Sequence, residues 1–192
     1  MSARLYLFNK PYLVLSQFRD SDGRETLATY LSDPDIRVAG RLDYDSEGLL
    51  LLTNDGHLAQ QITNPRHKTW KSYLAQVEGE PTAAALADLR AGVTLKDGHT
   101  RPAKAEMLTN APNLWQRQPP IRERINQPTS WLRLQIMEGR NRQVRRMCAA
   151  VGYPVLRLVR ERVGDWQLDD MQPGEFRILS VNMPKRPTGR RG

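Results

Sequence analysis

Apolar and polar positions change period several times along the chain, and each change marks an element. Leu5 to Phe8 and Leu13 to Phe18 read as short strands parted by Lys10-Pro11. Ser21-Asp22-Gly23 reads as a turn, and Arg24 to Leu31 as a short helix that ends before Pro34. Arg37 to Ala39 reads as a strand, and Leu49 to Thr53, apolar and bounded by a glycine and a turn, as a buried one. His57 to Ile62 is helical in pattern and stops before Asn64-Pro65. Alternation returns at Lys71 to Gly79, a strand that sets Tyr73, Ala75 and Val77 on one face. Thr82 to Ala91 is the clearest helix, with Thr82 able to cap it and Gly92 able to end it. Arg101 to Leu108 and Trp131 to Met137 read as strands around a proline- and arginine-rich excursion, Asn110 to Pro128. Asn141 is placed to cap a helix through Val151, with Gly152 as its stop, and Val155 to Leu168 and Phe176 to Val181 close the chain as strands. Strands outnumber helices and follow short turns, which predicts an α+β fold on a mixed, largely antiparallel sheet with flanking helices. One domain is expected over residues 1–183, followed by a basic, disordered tail at 184–192.

Charge adds a partner to this picture. Lys and Arg number 29 against 21 Asp and Glu, a formal net charge of +8 over 192 residues. A protein this basic points to a polyanion, nucleic acid before membrane. No apolar stretch approaches the ~20 residues of a membrane helix, and the start, MSARLYLFNKP, turns polar too quickly for a secretory signal. The single cysteine, Cys148, makes neither an intramolecular disulfide nor a zinc cluster, which fits a reducing cytoplasm. A soluble, cytoplasmic, monomeric protein is expected.

Against that basic background stands an acidic knot. The stretch GRLDYDSEGLLLLTNDG, Gly40 to Gly56, sets Asp43, Asp45 and Glu47 within five residues, directly before four leucines. Its spacing imitates the first half of a calcium-binding EF-hand loop, but the twelfth position, which should be glutamate, is Asn54. Two readings remain: carboxylates that cap amides or pair with arginines in a turn, and a carboxylate held on a loop beside a rigid strand as nucleophile or general base.

The same stretch closely resembles the catalytic motif of the small-subunit (RsuA-type) pseudouridine synthases. KSYLAQVEG (Lys71 to Gly79) and EGRNRQVRRMCAAVGYPVLRLVR (Glu138 to Arg160) are similar to the second and third motifs of that family, in the same order. FNKPYLVLSQF (Phe8 to Phe18) resembles the strand pair that opens its catalytic domain. The resemblance runs from Phe8 to about Val181. It implies the pseudouridine synthase fold, with a cleft between two lobes, and isomerisation of uridine in RNA to its C-linked isomer without cofactor or metal. Asp43 would then be the nucleophile, Tyr73 would pack against the base and help remove the C5 proton, and Arg145 would pair with Asp43 and orient it. Read alone, Tyr73 is equally a core aromatic on a strand, and Arg145 part of a solvated helix face.

Further arginines suit RNA. Arg140, Arg142 and Arg146 are candidates for phosphate contacts at the start of the basic helix. Arg41 either fills the gap left by a flipped base or pairs locally with Asp45 or Glu47. Many relatives carry a small S4 RNA-binding domain before the catalytic core, whereas here the catalytic strands start almost at Met1: a stand-alone core or a trimmed chain. This arrangement, the excursion and the basic tail are most like the large-subunit branch of the family, which implies 23S rRNA as the substrate. The competing expectation is a non-catalytic, ribosome-associated RNA-binding protein, which has no need of Asp43, Tyr73 and Arg145 together.

Overall fold

The computed structural model describes residues 2–122 and 124–183; the expected disordered tail lies outside them. The elements, in chain order, are β1 (Ser2–Lys10), β2 (Arg37–Val38), β3 (Glu47–Thr53), α1 (Gly56–Thr63), β4 (Lys71–Glu78), α2 (Ala83–Ala91), β5 (Thr94–Leu95), β6 (Gly98–His99), β7 (Lys104–Met107), β8 (Thr129–Ile136), α3 (Gln143–Ala150), β9 (Val155–Val163), β10 (Trp166–Gln167) and β11 (Phe176–Asn182). Nine strands form one sheet in the order β11-β1-β3-β9-β4-β8-β7, with β2 added on β3 and β10 on β9. All pairs are antiparallel except β3–β9, which meet in parallel at Glu47↔Val159 and Gly48↔Arg160. The fold is α+β on a mixed sheet, as the pattern predicted.

Both faces of this sheet are covered, which explains the leucine run. Leu50 and Leu52 enter one core with Tyr6, Phe8, Tyr73, Ala75 and residues of α2 and α3. Leu49 and Leu51 enter the other with Leu5, Leu7, Leu74 and residues Leu58 and Ile62 of α1. A strand buried on both sides reads as continuous apolar sequence, because alternation sends successive side chains into two different cores.

Several expectations shorten or shift. Leu13 to Phe18 is no strand: Leu13 sits at φ 59, and only an isolated bridge, Leu15↔Thr26, survives. The segment's backbone instead bonds to the one that follows, Leu15 N to Glu25 O and Leu27 N to Gln17 O, both at 2.9 Å. Those bonds hold part of the expected Arg24 to Leu31 helix extended, leaving a single 3₁₀ turn, Leu27–Thr29, that Thr26 caps. The long closing strand is a hairpin, β9–β10, turned at Gly164 with φ 55. Asn141 does not cap α3; the residue before the helix is Arg142, in a left-handed conformation and with no side-chain cap bond. The β5–β6 hairpin was not anticipated, although Asp97-Gly98 is a recognised hairpin turn signal.

Candidate active site

β3 and β9 touch over two residue pairs, so the sheet is divided there into a β11-β1-β3 half and a β9-β4-β8-β7 half. A cleft of about 670 Å³ opens beside that junction, lined by loop residues Gly40 to Tyr44 and Ser46 from one half and by Lys71, Tyr73, Leu158 and Arg160 from the other. A larger cavity, about 1340 Å³, opens on the opposite face of the sheet. It shares only Ile62 with the cleft and contains none of the residues expected to act. The alternation of β4 separates the two: Tyr73 faces the cleft, while Ser72 and Leu74 line the other cavity.

Asp43 is held through its neighbours. Ser16 Oγ donates to Leu42 O at 2.7 Å and accepts from Leu42 N at 3.1 Å. On the other side, Tyr44 O accepts from Leu13 N at 3.0 Å, and Lys10 Nζ lies 3.5 Å from it. Ser46 N closes the turn on Asp43 O at 3.1 Å. The Asp43 side chain is 30% exposed, with its nearest cation Arg142 Nη1 at 3.9 Å.

The arginines do not sit as expected. Arg145 makes no ion pair with Asp43. Its Nη2 donates to Asp45 O at 2.6 Å and to Ser46 Oγ at 3.3 Å, and its Nε lies 3.7 Å from Asp45 Oδ1. The first turn of α3 thus lies beneath the acidic loop, within reach of its backbone rather than of the Asp43 carboxylate. Burial pulls the Arg145 guanidinium below its ordinary value, and Asp45 is the strongest influence in the other direction. Arg142 donates from both terminal nitrogens to the Asp45 carboxylate, at 2.7 and 2.9 Å. These bonds hold the Asp45 carboxyl below its ordinary 3.8. Arg142 adopts φ 48, a conformation that costs an ordinary residue about 1–2 kcal/mol, and the two-bond grip of Asp45 helps to hold it there.

Of the remaining candidates, Arg41 and Arg140 line the cleft. Arg41 is exposed and reaches Gln17 Oε1 at 3.2 Å, not Asp45 or Glu47. Arg140 donates to Gly98 O, His99 O and Glu138. Arg146 is not at the cleft; it pairs with Asp97 at 2.7 Å in the β5–β6 turn, and so anchors that hairpin to α3. Glu47 is structural. It is buried against Arg157 at 2.9 and 3.0 Å, and it accepts from Trp115 Nε1 at 2.8 Å, which ties the excursion to β3. Among the described residues no three His, Cys, Asp or Glu side chains gather as metal ligands.

Two cleft residues were missed. Lys71 precedes Tyr73 by two on β4 and so shares its face; burial first, and Arg160 second, pull its ammonium below the ordinary value. Arg160 stands opposite Tyr73 in register and donates to Leu49 O at 2.8 Å. The spacing Lys71-x-Tyr73 was a signal for the first. The register that brings Arg160 there is not local and left none.

Comparison with known proteins follows the same residues. The family described as RNA pseudouridylate synthase matches residues 4–150. Ribosomal large subunit pseudouridine synthase E of Xanthomonas axonopodis pv. citri is 60% identical over 171 residues, covering 88% of this chain and 90% of that protein. The protein of the same name from Vibrio parahaemolyticus is 55% identical over 178 residues, covering 93% of this chain and 74% of its own length. Among solved structures, one described as a crystal structure of pseudouridylate synthase superposes with a TM-score of 0.77 at 32% identity, over 92% of this chain and 70% of that one.

Proposed function

This chain belongs to the RNA pseudouridylate synthase family, and we propose that it isomerises a specific uridine of large-subunit 23S rRNA to pseudouridine, with Asp43 as the nucleophile. The observation that carries the mechanism is the state of Asp43: a carboxylate in a nucleotide-sized cleft, pinned through both neighbours, with no hydrogen bond to its side chain among the described residues. A cleft of 670 Å³ lies within the range of small-ligand sites and takes one flipped nucleotide.

In this reading the uridine swings into the cleft and its base packs against Tyr73. Asp43 attacks the ribose carbon of the nucleoside, and the N-glycosidic bond breaks with its electron pair leaving on the uracil. The ring turns, C5 bonds to that ribose carbon as the bond from it to Asp43 breaks and frees the carboxylate, the C5 proton departs and N1 gains one. Substrate and product have the same formula, so the reaction needs no redox equivalents and no group donor. Arg145 supports the nucleophile through the backbone of Asp45 and through Ser46, not through an ion pair with Asp43. Arg41, Arg140 and Arg142 meet phosphates at the rim. The protein acts as a cytoplasmic monomer; among the described residues no helix is long and apolar enough to cross a membrane.

Every such conversion loses the hydrogen at uridine C5, so tritium release from C5-labelled 23S rRNA tests the proposal. Wild type is expected to release tritium and Asp43→Asn to release none while still binding RNA. Turnover by Asp43→Asn would overturn the assigned chemistry. RNA binding by wild type with no release from any rRNA state offered would favour the non-catalytic RNA-binding alternative.

A further inference from the structure

The cleft is charged unevenly. Asp43 and Asp45 stand on the loop side, with Arg142 beside them. The wall of β4 and β9 carries Tyr73 with two cations, Lys71 on its own strand and Arg160 opposite it in register. Among the described residues Lys71 Nζ has one hydrogen-bond acceptor, the Glu138 carbonyl oxygen, at 3.4 Å. The Glu138 carboxylate is already taken by Arg101 N, Arg140 and Gln143. Arg160 is buried, and its bonds go to carbonyl oxygens, Leu49 O at 2.8 Å and Gly40 O at 3.4 Å. Neither cation is paired with a carboxylate among the described residues.

A half-buried ammonium with one long hydrogen bond and no counterion costs stability, and burial and Arg160 both pull its pKa down. An anion in the cleft relieves that cost, and the reaction makes one. When the N-glycosidic bond breaks, the electron pair stays on the uracil, and the negative charge spreads from N1 onto the carbonyl oxygens. A base packed on Tyr73 lies beside Lys71, two residues and about 6–7 Å along the same strand face, within reach of a four-carbon side chain.

We propose that Lys71 is a further catalytic residue: its ammonium donates to a carbonyl oxygen of the departing uracil and stabilises the charge that bond cleavage leaves there, with Arg160 as a fixed positive charge beside it. The inference rests on the reaction assigned above. Lys71 keeps its proton throughout. The charge it faces is absent in bound uridine, greatest in the detached uracil, and gone once C5 has bonded to the ribose carbon. An interaction made only at that stage speeds the chemistry without tightening substrate binding.

The test is Lys71→Met, which keeps the length and removes the charge, in single-turnover assays on a 23S rRNA fragment carrying the target uridine or 5-fluorouridine in its place. Fluorine withdraws electrons from the ring, so the fluorouracil anion is the better leaving group and needs the ammonium less. Cleavage is read as loss of the parent nucleoside in digests of the RNA. On uridine the rate is expected to fall by about 100-fold, the scale of a removed oxyanion donor, with RNA affinity unchanged. On 5-fluorouridine the fall is expected to be several-fold smaller, and Lys71→Arg is expected to recover part of the rate on uridine. An equal fall on both substrates would overturn the proposal, because it marks a lysine that only shapes the cleft. So would weaker RNA binding with the saturated single-turnover rate intact, the sign of a phosphate contact, and so would unchanged turnover. Should Lys71→Met not fold, Lys71→Gln carries the same two-substrate comparison. Tritium release by wild type and none by Asp43→Asn, beside full activity of Lys71→Met, would sink this inference and leave the nucleophile assignment standing; no release by wild type would take down both.

Discussion

A fully buried ammonium needs acceptors, and Lys10 finds them in carbonyl oxygens: Val14 at 2.7 Å, Pro11 at 2.8 Å and Tyr44 at 3.5 Å. Burial pulls its pKa from 10.5 down to about 7, against the attraction of Glu47, Asp45 and Asp43. Between about 7 and 10.5 the unfolded chain therefore holds a proton that the folded chain lacks, so stability from this group rises with pH across that window. In melts from pH 6.5 to 10, the difference between wild type and Lys10→Met is expected to shift in favour of wild type as pH rises; a constant difference would refute it. At this scale the sequence was legible where chemistry is carried by a local motif. Asp43 and Tyr73 both line the cleft, as the resemblance implied. It was not legible where a side chain has several acids to choose from. Arg145 reaches across 100 residues to Asp45 and Ser46, and no spacing along the chain says which of three neighbouring carboxylates it will meet.

Elements with a strong internal period emerged nearly where the pattern put them. α2 runs Ala83–Ala91 with Thr82 accepting from Ala85 N as cap and Gly92 following; β3 and β4 start and stop within two residues of expectation. Elements defined by their neighbours did not. Leu13 to Phe18 has the residues of a strand and no partner strand to join, and α3 begins with a strained Arg142, paired with Asp45, in place of a cap. The β3–β9 junction depends on one missing side chain. A Cβ at Gly48 would lie 2.3 Å from Arg160 O, and φ is +106. Gly48→Ala combines backbone strain with a backbone clash, and a loss of about 3 kcal/mol or more is expected. That corresponds to a melting temperature lower by about 6–12 °C in a chain of this size. A calorimetric shift under 2 °C, with activity retained, would show that the two strands need no such close approach.

For the whole molecule, net charge pointed to RNA but not to where RNA is met. Many of the arginines are spent internally, Arg146 on Asp97, Arg157 on Glu47 and Arg133 on Glu106 and Glu161. The free positive surface is smaller than 29 basic residues suggest, and Arg41, exposed and with only a glutamine as partner among the described residues, belongs to it. RNA affinity is expected to fall with salt, and Arg41→Ala to flatten the slope of log affinity against log salt by about 0.7, the share of one phosphate contact on a single strand. An unchanged slope would remove Arg41 from the phosphate contacts. Composition counts these charges; only the fold says which are already neutralised.

The parallel junction also sets an order of events during synthesis. Glu47 and Gly48 pair with Val159 and Arg160, and the acidic loop is gripped by Arg142 and Arg145. A growing chain that has delivered Asp43 has Leu13 and Ser16 to hold the loop from one side, and must add about a hundred residues before Arg142 and Arg145 reach it from the other. Contacts so distant along the chain close slowly and late. The nascent protein therefore leaves the ribosome with the acidic loop held from its N-terminal side alone, and the site is completed near the end of translation. Such timing keeps a uridine-modifying chain inactive while it is still tethered to the very class of particle that holds its substrate.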